Sequence, residues 1–227
     1  MWLMKNPKKN LTKKILSLLL SLLLLSTTES SATTIAYDGE ILACDSRITT
    51  TRKTADGRES NNKTDNAIKY MCVSNIIFCC TGDFEKFDWF ILNYLQELLV
   101  EHPEDPNNVD YHIPRLKIDL NCSNDLEIMV IHKANPSVVE IWPALDSTNK
   151  FATILLPPVA IGSGASYALT AMKAGKTAVE AVEYAKEHDK FTGGFVHNDC
   201  LKEIFKKNIT MNDLLQRLIQ GQQMLMA

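Results

Sequence analysis

The sequence predicts an α+β layered domain. Three observations point there. Short apolar runs come in pairs about tight turns, helical periodicity is segregated rather than alternating strand by strand, and no linker or internal repeat divides the chain. Of the 227 residues, 45 % are apolar and 22 % charged, a globular balance that excludes collagen-like, coiled-coil and wholly disordered chains. A net charge of −3 gives no reason to expect a large nucleic-acid surface.

The first strand pair is 33–37 and 40–44, turning at Asp38-Gly39. Residues 47–66 are polar and rich in threonine, with Asp56-Gly57, and read as a loop. A second strand pair, 67–73 and 76–80, turns at Ser74-Asn75, and Thr81-Gly82-Asp83 breaks it. Phe87, Phe90, Ile91, Tyr94, Leu95, Leu98 and Leu99 recur at helical spacing, which predicts a helix over 84–100. Residues 102–115 carry three prolines and read as a loop. Strands follow at 126–132 and 138–142, joined by Asn135-Pro136; Pro157-Pro158 ends another connection. Val159-Ala160-Ile161 then runs into Gly162-Ser163-Gly164. A helix over 165–174 is closed by Gly175, and a second over 177–188 buries Ala178, Val179, Ala181, Val182 and Ala185. A tight loop over 189–194 leads into a weak strand ending near Leu201. The tail, 208–227, reads as an amphipathic helix with Thr210 or Asn212 as N-cap.

The N-terminus has its own signature. Residues 1–32 carry five lysines against Glu29, a net of +4, so residues 33–227 carry −7. The lysines precede an apolar run over 15–25, shorter than the roughly 20 residues a membrane span needs. A polar stretch and Ser30-Ser31-Ala32 follow. A charged start, a short apolar core and a small-x-small end describe a signal peptide cut after Ala32; a pro-segment is the other reading. The domains are therefore 1–32, leader, and 33–227, one folded domain with a helical tail and no stable membrane span once the leader is gone.

The six cysteines are Cys44, Cys72, Cys79, Cys80, Cys122 and Cys200. Export permits disulfides, but four of the six lie in apolar strand-like runs, where a thiol behaves as a small hydrophobe, and their pairing is left open. Neither the cysteines nor the five histidines show metal-ligand spacing, so no metal or cofactor is expected. His188 reads as a cation at a helix C-terminus, and a Ser-His-Asp arrangement is not favoured.

The cut after Ala32 would expose Thr33. A threonine at a mature N-terminus places a hydroxyl beside a free α-amine, whose ordinary pKa of roughly 7.7–8.0 lets it act as a base near neutrality. One residue then supplies nucleophile and base.

Thr33-Thr34-Ile35-Ala36, followed by Asp-Gly and then Leu42-Ala43-Cys44-Asp45-Ser46-Arg47, resembles the opening of proteasome β-type peptidases. Ile68-Lys69-Tyr70, Cys79-Cys80-Thr81-Gly82-Asp83, Ile161-Gly162-Ser163-Gly164 and Asp189-Lys190-Phe191-Thr192-Gly193-Gly194 resemble further motifs of that family, in its order, over about 33–201. The spacing of the last two is closer to bacterial and phage members. The resemblance implies the N-terminal nucleophile hydrolase fold, a four-layer αββα sandwich of two antiparallel sheets between helix layers. It implies Thr33 as nucleophile, Lys69 as the charge that lowers the pKa of amine and hydroxyl, and Asp45 as the group that holds Lys69. It further implies an oxyanion-binding N–H from Gly82, and a supporting cluster of Ser163, Asp189 and Thr192. It implies peptide or unfolded-protein substrates and a homo-oligomeric ring, with no nucleic acid.

The chain departs from that family's pattern in its leader, in the long 49–66 segment and in polar residues 197–199. The leader implies export, periplasmic or secreted; as a pro-segment alone it would leave the chain cytoplasmic. The long segment leaves Lys63 as an alternative catalytic lysine, and His197, Asn198 and Asp199 put the last strand in question. The function expected is a threonine-type endopeptidase. An inactive scaffold subunit and a small-amide amidase of the same fold are the alternatives.

Overall fold

A computed structural model describes residues 33–53, 59–82, 84–101, 126–142 and 152–217. The leader, the proline-rich stretch 102–115, Cys122 and residues 218–227 lie outside them. The strands are β1 (Thr34–Tyr37), β2 (Ile41–Asp45), β3 (Ile48–Lys53), β4 (Glu59–Thr64), β5 (Tyr70–Val73), β6 (Ile76–Thr81), β7 (Glu127–His132), β8 (Val139–Trp142), β9 (Thr153–Leu155), β10 (Val159–Gly162) and β11 (Val196–Cys200). The helices are α1 (Phe84–Glu101), α2 (Ala165–Lys173), α3 (Ala178–His188) and α4 (Leu201–Lys206), with a further helical stretch over 211–217.

Two antiparallel sheets stack, one in the order β10-β1-β2-β11, the other β5-β6-β7-β8-β9. Alternation along the strands decides what each face meets. Ile35, Tyr37, Leu42 and Cys44 of the first sheet meet Cys72, Ile77, Cys79, Met129 and Ile131 of the second in one inter-sheet core. The intervening Ala36 and Ala43 face outward and pack on Ala168, Ala171, Ala178, Ala181 and Ala185 of α2 and α3. Phe78, Cys80, Ile128 and Val130 face outward from the second sheet and pack on Phe87, Phe90, Ile91 and Tyr94 of α1, with Leu214 beside them. The layers are thus α2/α3, sheet, sheet, α1, the αββα sandwich that the resemblance implies. Cys79 and Cys80 fall in opposite cores, as strand geometry requires.

The turns follow from their residues. Ser74 and Asn75 both have positive φ (51° and 62°), the conformation of a two-residue hairpin turn. Asp38 caps twice: its Oδ1 accepts the Ile41 N–H at 2.8 Å inside the β1–β2 turn, and its Oδ2 accepts the Ala178 N–H at 2.9 Å at the start of α3. Thr177 and Glu180 form a reciprocal capping box on α3. Thr210 caps the 211–217 stretch, its Oγ1 accepting the Asp213 N–H at 3.2 Å.

Three elements differ from the expectation. Residues 47–66 are not a loop throughout: β3 and β4 pair in register from Ile48↔Thr64 to Lys53↔Glu59. This ribbon belongs to neither large sheet, so its sequence carries no apolar alternation, only threonine-rich strand propensity. β9 is a three-residue edge strand, exposed throughout. α4 begins directly after β11 and drives Leu201 and Ile204 into the inter-sheet core. The questioned strand β11 is present, in register with β2 from Val196↔Asp45 to Cys200↔Ile41; it lies at a sheet edge, where polar residues meet solvent. No helix among the described residues is long and apolar enough to cross a membrane.

The alanine contact between sheet and helices has no room to spare. Ala43→Leu should lower the stability of the domain by about 1–3 kcal/mol through overpacking against α3, read as a shift of the urea midpoint at unchanged slope.

Candidate active site

The site lies where several strand and helix ends converge at one rim of the sandwich. Thr33 immediately precedes β1, and Asp45 ends β2. The β1–β2 register, Ile35↔Cys44, brings these two ends together. Lys69 immediately precedes β5, in the other sheet. Thr33, Asp45 and Lys69 are fully buried.

Asp45 is saturated with donors. Its Oδ1 accepts the Thr33 hydroxyl, the Thr34 N–H at 2.8 Å and Lys69 Nζ at 2.9 Å. Its Oδ2 accepts the Gly193 N–H at 2.9 Å and the Arg47 N–H at 3.3 Å. Lys69 is satisfied in turn. An ammonium has three donors, and Nζ meets three acceptors: Asp45 Oδ1, the Arg47 carbonyl at 2.6 Å and Thr33 Oγ1. The Thr33 hydroxyl therefore donates to a carboxylate and accepts from a cation. Burial pulls the Lys69 pKa below the ordinary lysine value, and the Asp45 charge opposes that pull.

A second cluster supports the first from the α2/α3 side. Asp189, directly after α3, accepts the Ser163 and Thr192 hydroxyls on Oδ2, each at 2.6 Å, and the Phe191 N–H on Oδ1 at 3.1 Å. Burial pushes the Asp189 carboxyl up, but these bonds together outweigh it and hold the pKa below the usual value. Thr192 Oγ1 lies 2.6 Å from Thr34 Oγ1, and Ser163 Oγ donates to the Thr33 carbonyl at 3.3 Å. Six of the seven residues singled out in the sequence thus form one connected network. The seventh, Gly82, follows β6 with a φ of 92° and is buried; among the described residues no hydrogen bond joins it to the other six. Lys63, the alternative lysine, is exposed on β4, opposite Thr49.

The neighbours of Ser163 explain the glycines around it. A Cβ on Gly162 would lie 2.1 Å from the Thr33 carbonyl oxygen, and its φ is 93°. A Cβ on Gly164 would lie 2.1 Å from Thr34 Oγ1. Gly162 lets the turn close on the Thr33 backbone, and Gly164 leaves room for the Thr34 hydroxyl.

Sequence reading gave no role to Arg47, Thr34 or Gly193, although all three stand inside the motifs it quoted. Arg47 Nε pairs with Asp65 Oδ1 at 3.0 Å, and its N–H donates to Gly193 O at 3.2 Å, which ties the 189–194 loop to the end of β2. Among the described residues, His132 and His188 lie away from this network. His132 Nε2 lies 2.7 Å from Tyr94 Oη and 3.0 Å from Glu140 Oε1 in the outer core, and His188 lies at the end of α3 against Tyr184. Ser163 pairs with Asp189, not with a histidine. Cys44, Cys72, Cys79 and Cys200 are free thiols. Burial pushes Cys44, beside the site, up to about 11, so it is a poor nucleophile at neutral pH.

Gly162→Ala and Gly193→Ala separate backbone from side-chain crowding. The nearest atoms a Cβ on Gly193 would meet belong to the Arg47 guanidinium, the far end of a flexible side chain, whereas Gly162 faces a carbonyl at positive φ. Gly162→Ala should cost roughly 1–3 kcal/mol and Gly193→Ala clearly less, measured by thermal unfolding of the two variants in parallel.

No protein-family profile matches the chain, and no curated protein matches it. Among solved structures, it is similar to the BPH protein of Thiobacillus denitrificans, solved in complex with epoxomicin, at 17 % identity and a TM-score of 0.48 over 75 % of this chain and 97 % of that one. It is also similar to HslV from Trypanosoma brucei, at 15 % identity and a TM-score of 0.44 over 75 % of this chain and 98 % of that one.

Proposed function

We propose that this protein is a threonine-type endopeptidase, activated by removal of residues 1–32 and using Thr33 as its nucleophile. The observation that carries the reading is the Thr33 hydroxyl held between the Asp45 carboxylate and the Lys69 ammonium, both buried. A threonine placed there for packing alone would not need a buried charge pair, whose desolvation is costly.

Cutting before Thr33 converts its peptide nitrogen into a free amine. That amine, through a water, takes the proton of the hydroxyl as Oγ1 attacks the scissile carbonyl carbon. Lys69, held charged by Asp45, favours the alkoxide form of Oγ1. The N–H of Gly82 is assigned to the developing oxyanion, a role commonly worth about 3 kcal/mol. The C–N bond breaks, the proton passes to the leaving amine, and an ester remains on Thr33. Water then attacks the ester, releases the acid product and returns the proton to Oγ1. Ser163, bonded to both Asp189 and the Thr33 carbonyl, keeps residue 33 oriented. The leader supports export with cleavage after Ala32. Substrates are short or unfolded chains, and the working form is a homo-oligomeric ring.

Intact mass and N-terminal sequencing of the purified protein should give a chain that starts at Thr33. On fluorogenic peptide amides, Thr33→Ala should lower kcat by at least about a thousandfold while the protein stays folded. A mature chain that begins elsewhere, or a Thr33→Ala variant of full activity, would overturn the reading. If the Thr33→Ala chain is still cut after Ala32, an external peptidase makes the cut; an uncut variant assigns it to Thr33.

The alkaline side of the rate profile tests Lys69. Its folded pKa is lowered, so charge is lost at a lower pH than from an ordinary lysine, whose value is about 10.4. kcat/KM should therefore fall with rising pH below that value, and Lys69→Arg should remove this limb from whatever activity remains. The sign for stability is the reverse. Between the lowered folded value and the ordinary one, the unfolded chain binds more protons, so the Lys69 contribution to stability rises with pH across that window.

A further inference from the structure

Glu127 takes part in none of the steps above, yet it bridges the two sheets at the rim that holds the site. It begins β7 opposite Thr81 of β6. Met129 and Ile131 of the same strand face the inter-sheet core while Ile128 and Val130 face α1, so alternation turns Glu127 toward the other sheet. There its Oε2 accepts the N–H of Gly162, the last residue of β10, at 2.9 Å. Gly162 stands opposite Thr34 in the β1–β10 register. Its Cα is so close to the Thr33 carbonyl that no side chain fits between them, and the next residue, Ser163, bonds that same carbonyl.

We propose that Glu127 is a positioning residue for Thr33. By holding Gly162 from the opposite sheet, it fixes the turn that grips the backbone of the nucleophile, and with it the line along which Oγ1 approaches a substrate carbonyl. Two further observations agree. Burial raises the Glu127 pKa, and the Gly162 N–H opposes that rise, so the half-buried carboxyl is drawn out of water at a cost that a strand-end acid facing solvent would avoid. A backbone N–H partly withdrawn from water at a strand end needs an acceptor, and Glu127 supplies one.

The inference rests on Thr33 as nucleophile, and the test separates the two. Glu127→Gln keeps an acceptor at the same reach without charge. Glu127→Asp keeps the charge and withdraws it by one methylene, and Glu127→Met keeps the length and removes the acceptor. Steady-state hydrolysis of fluorogenic peptide amides is measured for the processed protein and each variant, beside Thr33→Ala, with thermal unfolding to confirm folding. Glu127→Gln should stay within about threefold of the parent in kcat, while Glu127→Asp and Glu127→Met should each lose about tenfold or more in kcat at a KM unchanged within about twofold. If only one of the last two folds, that one gives the reading. A charge-keeping Asp variant at full rate, or a Gln variant as impaired as Met, overturns the positioning role and leaves Thr33 as nucleophile untouched. A parent protein no more active than Thr33→Ala overturns the nucleophile and this role with it.

Discussion

The buried pair of Lys69 and Asp45 is the constraint around which the rim is organised. Two charges taken out of water are costly, and their attraction offsets that cost only when every remaining donor and acceptor is also met. Here every donor on Nζ is met, and both oxygens of Asp45 are loaded with N–H and O–H groups. Each of those partners has to be brought by a different element. The Arg47 carbonyl comes from the turn after β2, the Gly193 N–H from the loop after α3, and the Thr34 N–H from β1. The charge pair therefore acts as an assembly condition: elements far apart in sequence are all held to one point.

The sandwich meets that condition through registers, not through long reaches of side chain. β1 and β2 form a hairpin whose open end is the site, so Thr33 and Asp45 meet because Ile35 faces Cys44. β10 joins β1 with Gly162 opposite Thr34, which delivers Ser163 to the Thr33 carbonyl. α3 runs back toward the same rim and ends at Asp189. Alanines on the outer sheet face and on α2 and α3 let these helices lie close, and that closeness is what brings Asp189 and Thr192 within hydrogen-bonding distance of Ser163 and Thr34.

Much of this was legible in the sequence. Strand pairs with both faces buried read as short unbroken apolar runs, and the turns at Asp38-Gly39, Ser74-Asn75 and Gly175 read from residue types that favour those backbone conformations. The identity of the site residues came from the resemblance and their joint order, and the geometry unites six of the seven. What escaped has physical reasons. The β3–β4 ribbon pairs with neither large sheet and its sequence carries no apolar period, and β9 is too short and exposed to leave one. Arg47, Thr34 and Gly193 act largely through backbone groups, which a side-chain reading does not see. Glu127 escaped because a single acid at the head of an apolar strand looks solvent-facing until the second sheet is placed across from it.

The sandwich also has an opposite rim. The turns at Asp38-Gly39, Ser74-Asn75, Asn135-Pro136 and Gly175 gather there, bound to one another by contacts such as the Tyr37 hydroxyl to the Pro136 carbonyl at 2.9 Å and the Lys133 N–H to the Asn75 carbonyl at 3.1 Å. Every strand and helix that feeds the site passes through one of these two rims, but register is counted from the site end. A residue added within β1, β2 or β10 moves a whole face of the strand to the wrong side. The molecule therefore has two poles, one where the strand registers converge on the buried charge pair and one, a strand's length away, where a label attached to a turn leaves those hydrogen bonds in place.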